Sequence, residues 1–272
     1  MTRAPATAKL NLALVVGPPR DDGKHEVVTV FQRLDLADRV SIAPAAALRV
    51  DGFPADTLVR SALEAIAAAA GVEPGWHARI TKRIPVAAGL GGGSSDAATA
   101  LRLANATLSE PLSDEALHEL ARGLGADVAF FLREGPQLGR GDGSDLEPLE
   151  LPQDYWVLLL QPNGSTKTST ADVYRRFDER SGAEGFDGRA DELVQALAAV
   201  RRPRDLTALP PNDLASSPLA DELEQLGAFR ADVTGAGPTV YGLFHHRRRA
   251  EAARRSLATR ARGLIAVPAW YG

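Results

Sequence analysis

The chain has 272 residues, of which 44% are hydrophobic and 24% charged, a balance typical of a globular protein with one large domain or two ordinary ones. Its net charge of −4 gives no global attraction to nucleic acid or to an anionic membrane, so neither is expected as a partner. It contains no cysteine, which excludes disulfides, thiolate zinc sites and cysteine nucleophiles and is compatible with the cytoplasm.

The first predicted element is a strand over residues 7–16, TAKLNLALVV. Every second residue from Leu10 to Leu14 is a leucine, whereas Lys9 and Asn11 fall on the other face. This alternation is typical of a half-buried strand. Its polar face presents an ammonium group and a carboxamide side by side. Taken alone, the pattern is best explained by a solvated edge strand with an incidental lysine.

A turn and further strands are predicted next. Residues 17–24, GPPRDDGK, have the composition of a turn, and His25 follows directly. Taken alone, a histidine beside a turn is usually a surface residue. The apolar-rich stretch from Val27 to Pro44 predicts a pair of strands.

A helix is predicted over residues 57–70, with Asp56 or Thr57 as its cap and Gly71 at its end. Residues 76–85, WHARITKRIP, predict a strand that leads into a glycine-rich segment.

The chain is organised around residues 82–101, KRIPVAAGLGGGSSDAATAL. Four glycines occupy the five positions from Gly89 to Gly93, and an Ala/Leu-rich run then predicts a helix to about Ala106. Glycines let a backbone approach a ligand closely, and a helix N-terminus offers unpaired N–H groups. Together they predict an anion site, most commonly for a nucleotide phosphate, and a flexible linker is the poorer explanation. Asp96 is expected in the first turn of the helix, where a structural role and a role near a metal stay equally open.

Asp127 is the notable charge in the next part of the chain. Ser113 is expected to cap a helix, DEALHELARGL, that Gly125 ends. Asp127 is then the one charge between that helix end and an apolar run to Leu132. Such a carboxylate is either a cap or lies at the edge of a buried site.

A buried strand is predicted at residues 155–162, YWVLLLQP, with a domain boundary just before it. This boundary divides the chain into residues 1–152 and residues 153–272. Residues 234–237, TGAG, predict a tight turn between two strands. Residues 245–249, HHRRR, form a basic cluster before an Arg/Ala helix, for which a solvated helix face is favoured over nucleic-acid binding.

The glycine-rich segment matches neither of two common nucleotide motifs. Gly93 stands where a Walker A loop needs lysine, and the dinucleotide pattern G-x-G-x-x-G is absent. The form GLGGGSSDAA resembles the phosphate loop of the GHMP kinases. The stretches AKLNL, DGKH, GADV and TGAG resemble further segments of that family and occur in its order. The chain departs from the family at Lys24, where an aromatic residue is expected, and at Ala129, where proline is expected.

The resemblance implies an α+β fold of two domains, the first like domain 2 of ribosomal protein S5 and the second ferredoxin-like. It implies that the ATP γ-phosphoryl group moves, with Mg²⁺, to the 2-hydroxyl of a cytidine diphosphate-linked methylerythritol in non-mevalonate isoprenoid precursor synthesis. Lys9 and Asp127 are the implied catalytic residues.

Three residue sets are implied for binding. The expected ATP-binding residues are Pro85, Val86, Ala87, Ala88, Gly89, Leu90, Gly91, Gly92, Gly93, Ser94 and Ser95. The expected substrate-binding residues are Asn11, Lys24, His25, Thr170 and Tyr174. The turn expected to close the phosphate site is Thr234, Gly235, Ala236 and Gly237. Ser95 is in addition a possible Mg²⁺ ligand.

Two alternatives stay open. Another GHMP kinase, for homoserine or phosphomevalonate, would usually have a GLGSS-type loop and lack D-G-x-H. A non-catalytic, nucleotide- or sugar-binding regulatory relative is disfavoured because Lys9 and Asp127 are both retained. A small molecule is the expected partner of a cytoplasmic protein that is a monomer or a homodimer.

Overall fold

A computed structural model describes residues 1–53, 57–164 and 169–269. In these ranges the strands are β1 (Thr2–Pro19), β2 (His25–Pro44), β3 (Arg49–Asp51), β4 (Trp76–Thr81), β5 (Gln137–Arg140), β6 (Asp145–Pro148), β7 (Trp156–Pro162), β8 (Arg230–Val233), β9 (Val240–Phe244) and β10 (Ala261–Ala266). The helices are α1 (Leu58–Ala70), α2 (Gly92–Asn105), α3 (Asp114–Leu124), α4 (Ala126–Phe131), α5 (Thr170–Glu179), α6 (Phe186–Ala199), α7 (Pro218–Gln225) and α8 (Arg247–Ser256), with a 3₁₀ helix at Pro203–Ala208. None of the helices within these ranges has the length and apolar character needed to cross a membrane.

The chain forms two compact units that exchange segments. The first unit contains Met1–Ala8, Leu36–Val86 and Gly91–Glu134, and the second contains Lys9–Asp35, Ala87–Leu90 and Gly135–Gly272. The long strands β1 and β2 each contribute residues to both units, and so does the glycine-rich loop. The predicted division near residue 152 remains a prediction about domain assignment.

The first unit combines a small sheet with four helices. The C-terminal part of β2 pairs antiparallel with β4, with Val40 opposite Ile80, and β4 pairs in parallel with β3. Helix α1 packs on α2, and α4 packs on both α2 and α3. The apolar faces of α1 and α2 are buried, as shown by Leu63, Ile66 and Leu101, and this burial supplies most of the stabilisation of such amphipathic helices.

The second unit contains two antiparallel arrangements of strands. The start of β2 pairs with β5, which forms a hairpin with β6. A separate sheet has the order β10-β7-β9-β8, and helices α7 and α8 pack on it around a cluster that includes Leu158, Leu160 and Phe244. A second cluster buries Val173 and Phe177 of α5 against Leu14 and Val16 of β1.

Three strand predictions need correction. The strand predicted at residues 7–16 is buried on both faces, because Lys9 and Asn11 are each only 4% exposed. Their polar atoms have hydrogen-bond partners inside the protein, which makes burial of the polar face possible. The predicted strand pair from Val27 to Pro44 is one continuous strand of 20 residues, and the strand predicted to reach residue 85 ends at Thr81.

The predicted helix ends are largely confirmed. The Ser113 side chain accepts a hydrogen bond from the Ala116 N–H, and Gly125 ends α3. Gly71 ends α1 in the left-handed conformation that favours glycine. Thr57 occupies the cap position of α1 without a side-chain capping bond, and the alternative cap, Asp56, lies outside the described residues.

Candidate active site

The glycine-rich loop combines left-handed residues with a helix start. Ala87, Gly89 and Gly91 have φ angles of 58°, 79° and 68°, and α2 begins immediately afterwards at Gly92. The first hydrogen bond within the helix runs from the Ser95 N–H to the Gly91 carbonyl at 2.9 Å. The preceding N–H groups of α2 therefore have no acceptor within the helix. This backbone has the features of an anion-binding helix N-terminus.

Asp96 does not lie in the first turn of α2, as the sequence had suggested, but is its fifth residue and fully buried. One of its oxygens accepts a hydrogen bond from Lys82 Nζ at 2.7 Å, and Asp38 Oδ2 accepts another at 2.5 Å. Asp38 Oδ1 also accepts the N–H groups of Arg83 and Ile84. This lysine clamp, defined as Asp38, Lys82 and Asp96, holds the segment before the loop to α2 within the first unit.

The surroundings of Lys82 in the lysine clamp favour the charged form of its ammonium group. Burial opposes the ammonium charge, but the hydrogen bonds to Asp38 and Asp96 outweigh burial and raise the pKa of Lys82. The Lys82 side chain is 16% exposed, and those of the two aspartates are 0% and 1% exposed. Two nearly inaccessible carboxylates therefore share the Lys82 ammonium group as a counter-charge.

In the second unit, Gly89 of the loop packs on the predicted turn at residues 234–237. A Cβ atom at Gly89 would lie 2.6 Å from the Thr234 carbonyl oxygen and 3.1 Å from that of Gly237. Only a residue without a side chain fits at this distance and at this positive φ. The Leu90 carbonyl accepts a hydrogen bond from the Lys9 N–H at 3.0 Å. The structure thus brings three of the predicted motifs together within one unit.

Lys9 and Asn11 belong to a buried polar network in that unit. Lys9 Nζ donates to Asn11 Oδ1 at 2.7 Å, and Asn11 Nδ2 donates to Thr29 Oγ1 at 2.8 Å. The Asn11 N–H donates to Thr234 Oγ1 at 3.0 Å. Lys9 Nζ also lies 5.4 Å from the centre of the Phe31 ring. The ammonium group is therefore positioned by neighbours on β1 and β2 next to the residues that contact the glycine loop.

Asp127 lies in the first unit, in the first turn of the short helix α4. The preceding Gly125 ends α3, and the chain turns directly into α4, in which Val128 to Phe131 are buried. Asp127 itself is half-buried. The local sequence therefore places a carboxylate at a helix start, where the dipole favours its charge. This position fits either role that the sequence left open.

A cavity of about 410 Å³ in the second unit contains the other predicted substrate residues. It is lined by Gly23, Lys24, His25, Val27, Asp142, Thr170, Ala171, Tyr174, Arg175 and Asp178. The rings of His25 and Tyr174 lie 4.7 Å apart at 37°. A nucleobase is a chemically suitable occupant, because aromatic faces and a few polar groups meet there.

Lys24, the departure from the family pattern, forms an ion pair. Its Nζ lies 2.5 Å from Asp142 Oδ2, and Ser144 Oγ donates to Asp142 Oδ1 at 2.6 Å. Burial tends to raise the carboxyl pKa, but the hydrogen bonds from Lys24 and Ser144 outweigh it and lower the pKa of Asp142 to about 2. The lysine side chain is 52% exposed, so its ammonium group also borders water.

The sequence reasoning missed Asp38, Thr29, Asp142 and Asp178. Asp38 is one of three acids in the long strand β2, and its partners come from residues more than 40 positions away. Asp178 lies four residues after Tyr174 on α5, and this i,i+4 spacing was the available signal that both would share a helix face.

The donor set is compatible with magnesium bound together with a nucleotide. No cluster of three His, Cys, Asp or Glu side chains in the described ranges could hold a metal. Mg²⁺ beside a nucleotide needs only one or two protein ligands, because phosphates and waters complete its shell. The predicted ligand Ser95 is 1% exposed in α2, and its role stays a prediction.

Two family models match the chain. The model of the GHMP kinases N terminal domain matches residues 57–135, and that of the GHMP kinases C terminal domain matches residues 209–262. The chain is 40% identical over 266 residues to the 4-diphosphocytidyl-2-C-methyl-D-erythritol kinase of Anaeromyxobacter sp. (strain Fw109-5), covering 93% of this chain and 85% of that protein. For the protein of the same name from Pelotomaculum thermopropionicum, the identity is 41% over 257 residues, with 88% and 87% covered.

Solved structures agree with these matches. A crystal structure of 4-(cytidine 5'-diphospho)-2C-methyl-D-erythritol kinase matches with a TM-score of 0.78 and 30% identity, covering 100% of both chains. A crystal structure of mevalonate kinase matches with a TM-score of 0.74 at 14% identity, covering 98% of this chain and 99% of that one, which shows similarity of fold alone. The expected α+β fold with two GHMP-type domains is confirmed.

Proposed function

The chain belongs to the GHMP kinases and, within them, to the 4-diphosphocytidyl-2-C-methyl-D-erythritol kinases, and on that premise we propose that it transfers the ATP γ-phosphoryl group to the 2-hydroxyl of 4-diphosphocytidyl-2-C-methyl-D-erythritol. The observation that carries this proposal is the presence, in one chain, of the phosphate-type loop and a cavity walled by His25 and Tyr174. Such a cavity suits the cytidine end of this substrate.

Phosphoryl transfer depends mainly on positioning and on neutralisation of charge. The backbone N–H groups of residues 89–94 bind the β- and γ-phosphates of ATP, supported by the left-handed glycines and the start of α2, whereas the Ser95 N–H is used within the helix. Bound Mg²⁺ supplies further neutralisation of the phosphate charge. The lysine clamp keeps the start of α2 in place, the turn at residues 234–237 does so for Gly89, and the Lys9 N–H does so for Leu90.

Asp127 acts as the general base that accepts the proton of the substrate hydroxyl. Lys9 orients this hydroxyl, and its positive charge stabilises the developing alkoxide. Asn11 supports Lys9 through the 2.7 Å hydrogen bond to Nζ, so it contributes by positioning the ammonium group as well as by meeting substrate.

The cytidine end occupies the cavity in the second unit. Tyr174 stacks on the cytosine ring, and His25 forms hydrogen bonds with its edge. Thr170, at the start of α5, and Lys24 border the same space. The protein is proposed to act as a cytoplasmic monomer or homodimer.

ADP release measured against a panel of alcohols tests this function. Turnover should be fastest with the cytidyl substrate and at least about 10³-fold slower with homoserine or phosphomevalonate, because the cavity's polar groups are left without partners by those substrates. A preference for either of the latter would assign the chain to a different GHMP activity. Nucleotide binding without any turnover would favour the regulatory alternative.

The variant Asp127→Asn tests the mechanism. ATP binding should persist while turnover falls about 10²- to 10⁴-fold, the usual contribution of a general base. The measurements are kcat and calorimetric ATP affinity. Glu119→Gln is the matched control, since it removes one negative charge from the exposed surface of α3 in the same unit. Near-normal turnover of Asp127→Asn would remove this carboxylate from the mechanism.

A further inference from the structure

The imidazole ring of His25 is held in place by a carboxylate from a distant part of the chain. Its Nε2 lies 2.8 Å from Asp178 Oδ1 on α5. The His25 side chain is 9% exposed, and that of Asp178 is 47% exposed. The same ring contacts Tyr174 and, edge-on at 6.1 Å, Phe177. One face of α5 therefore fixes both the position and the orientation of the imidazole.

This hydrogen bond determines which ring nitrogen of His25 carries a proton. An ionised carboxylate can only accept, so Nε2 must be the donor. In the neutral ring the other nitrogen, Nδ1, then has a lone pair and can only accept. The ring thus presents an acceptor, rather than a donor, to whatever approaches Nδ1.

An acceptor at this position discriminates between pyrimidines. Cytosine has an amino group, a hydrogen-bond donor, at its 4-position, where uracil has a carbonyl oxygen, an acceptor. The Nδ1 lone pair attracts the cytosine amino group and repels the uracil carbonyl oxygen. Leaving a desolvated polar group without a partner is costly, which makes such a mismatch effective in discrimination.

Resting on the proposed function, we propose that Asp178 is a positioning residue that selects the His25 tautomer and thereby makes the site prefer cytidine over uridine nucleotides. The stability of the fold does not need this contact. Helix α5 is already anchored by the buried side chains of Val173 and Phe177, and an ion pair with a largely exposed partner stabilises little.

The experiment compares the binding of CDP and UDP by calorimetry. The pH is set above the range in which an ordinary imidazole titrates. The unmodified protein should bind CDP about 10- to 100-fold more tightly than UDP. In Asp178→Asn the amide can donate to Nε2 as well as accept, so both tautomers become available. The preference should then shrink by about fivefold or more. Asp191→Asn, which removes the same charge from an exposed position of α6 in the same unit, should leave the preference unchanged.

A spectroscopic readout checks the tautomer without a ligand. The ¹⁵N shifts of the His25 ring, assigned by their loss in His25→Asn, should report a proton on Nε2 and a lone pair on Nδ1, and this pattern should weaken in Asp178→Asn but persist in Asp191→Asn.

Two kinds of failure are distinguishable. CDP binding with no preference over UDP, an unchanged preference in Asp178→Asn, or a proton on Nδ1 overturns the role of Asp178 while leaving the cytidine site intact. Absence of binding by either nucleotide overturns the cytidine site itself, and the role of Asp178 with it.

Discussion

The two halves of the glycine-rich loop are held by different forces. The start of α2 is tied to the preceding segment by the lysine clamp, in which one ammonium group joins two inaccessible carboxylates. Residues 87–90 are held by neutral contacts. The Lys9 N–H donates a hydrogen bond to the Leu90 carbonyl, and Gly89 packs closely on the 234–237 turn. Ion pairs therefore fix the start of α2, whereas close packing and a backbone hydrogen bond fix residues 87–90.

The difference teaches which changes each half tolerates. A buried ion pair contributes little net stability when intact, but loss of one partner leaves an uncompensated charge in a poorly solvated place. A tight backbone contact is indifferent to charge and to salt but is disrupted by a single added carbon. The two halves are therefore expected to be disrupted by different substitutions: the first by loss of a charge, the second by an added side-chain carbon.

Removal of the clamp cation should have the largest effect on stability. Lys82→Met leaves Asp38 and Asp96 buried without their ammonium group, and we expect a loss of about 3–5 kcal/mol in the free energy of unfolding. Urea denaturation measures it. Lys82→Arg is the matched control and should lose much less, because the charge is kept.

The same cation predicts how stability depends on pH. Since folding raises the pKa of Lys82, its contribution is complete below the ordinary lysine value of 10.5 and disappears as the pH rises through the folded value. An unchanged urea midpoint in Lys82→Met would show that the clamp does not contribute to the free energy of unfolding.

Substitution in the neutral half should have an intermediate effect. Gly89→Ala places a Cβ 2.6 Å from the Thr234 carbonyl at a positive φ, so we expect a loss of about 2–3 kcal/mol and a higher KM for ATP. Gly123→Ala in α3 is the control, since a Cβ there meets no atom within 4 Å and the residue lies outside the loop. Equal ATP affinities in the two variants would mean that packing against the turn does not shape the loop.

The smallest effect is expected at the exposed counterpart of the clamp, the ion pair of Lys24 and Asp142. Lys24→Tyr should change stability by less than about 1 kcal/mol, because the lysine is half exposed. It should weaken the salt dependence of KM for the cytidyl substrate, since an aromatic ring replaces a charge that salt screens. Identical salt slopes in both proteins would show that Lys24 does not influence substrate binding.

The acid range offers a second readout of this pair. Folding lowers the pKa of Asp142 to about 2, so its contribution is present above the ordinary carboxyl range and is lost as the pH falls from about 4 to about 2. An NMR titration of Lys24→Tyr should show the Asp142 value move back upward.

Much of the fold could be predicted because its signals are local. The ends of α3 follow from Ser113 and Gly125, and the hairpin at residues 234–237 follows from its glycines. The short helix α4 was less accessible, since an apolar run of this length is compatible with either a helix or a strand. The burial of both faces of β1 could not be predicted, because alternation reports side-chain polarity and not the presence of partners such as Thr29 and Thr234.

The site was predicted where family motifs exist and missed where only long-range contacts define it. The motif residues Lys9, Asn11 and the glycine loop are found together with the 234–237 turn, although their chemical roles stay predictions. Asp38 was missed because nothing local distinguishes it from Glu26 and Asp35, the other acids of β2. Asp178 was missed because it stands in a helix rich in charges, where its i,i+4 spacing from Tyr174 was the one local signal and did not identify His25 as its partner.

The exchange of segments between the two units has a consequence for the order in which the protein is made. The first unit is complete once Glu134 has been synthesised, but Lys9–Asp35 joins a unit that also requires Gly135–Gly272. At 5–20 residues per second, this early segment waits roughly ten to fifty seconds until its partners up to Gly272 have been added. During that interval the apolar stretch from Leu10 to Val16 is exposed to chaperones and to aggregation. The strand that carries Lys9 and Asn11 is thus synthesised well before the residues that bury it.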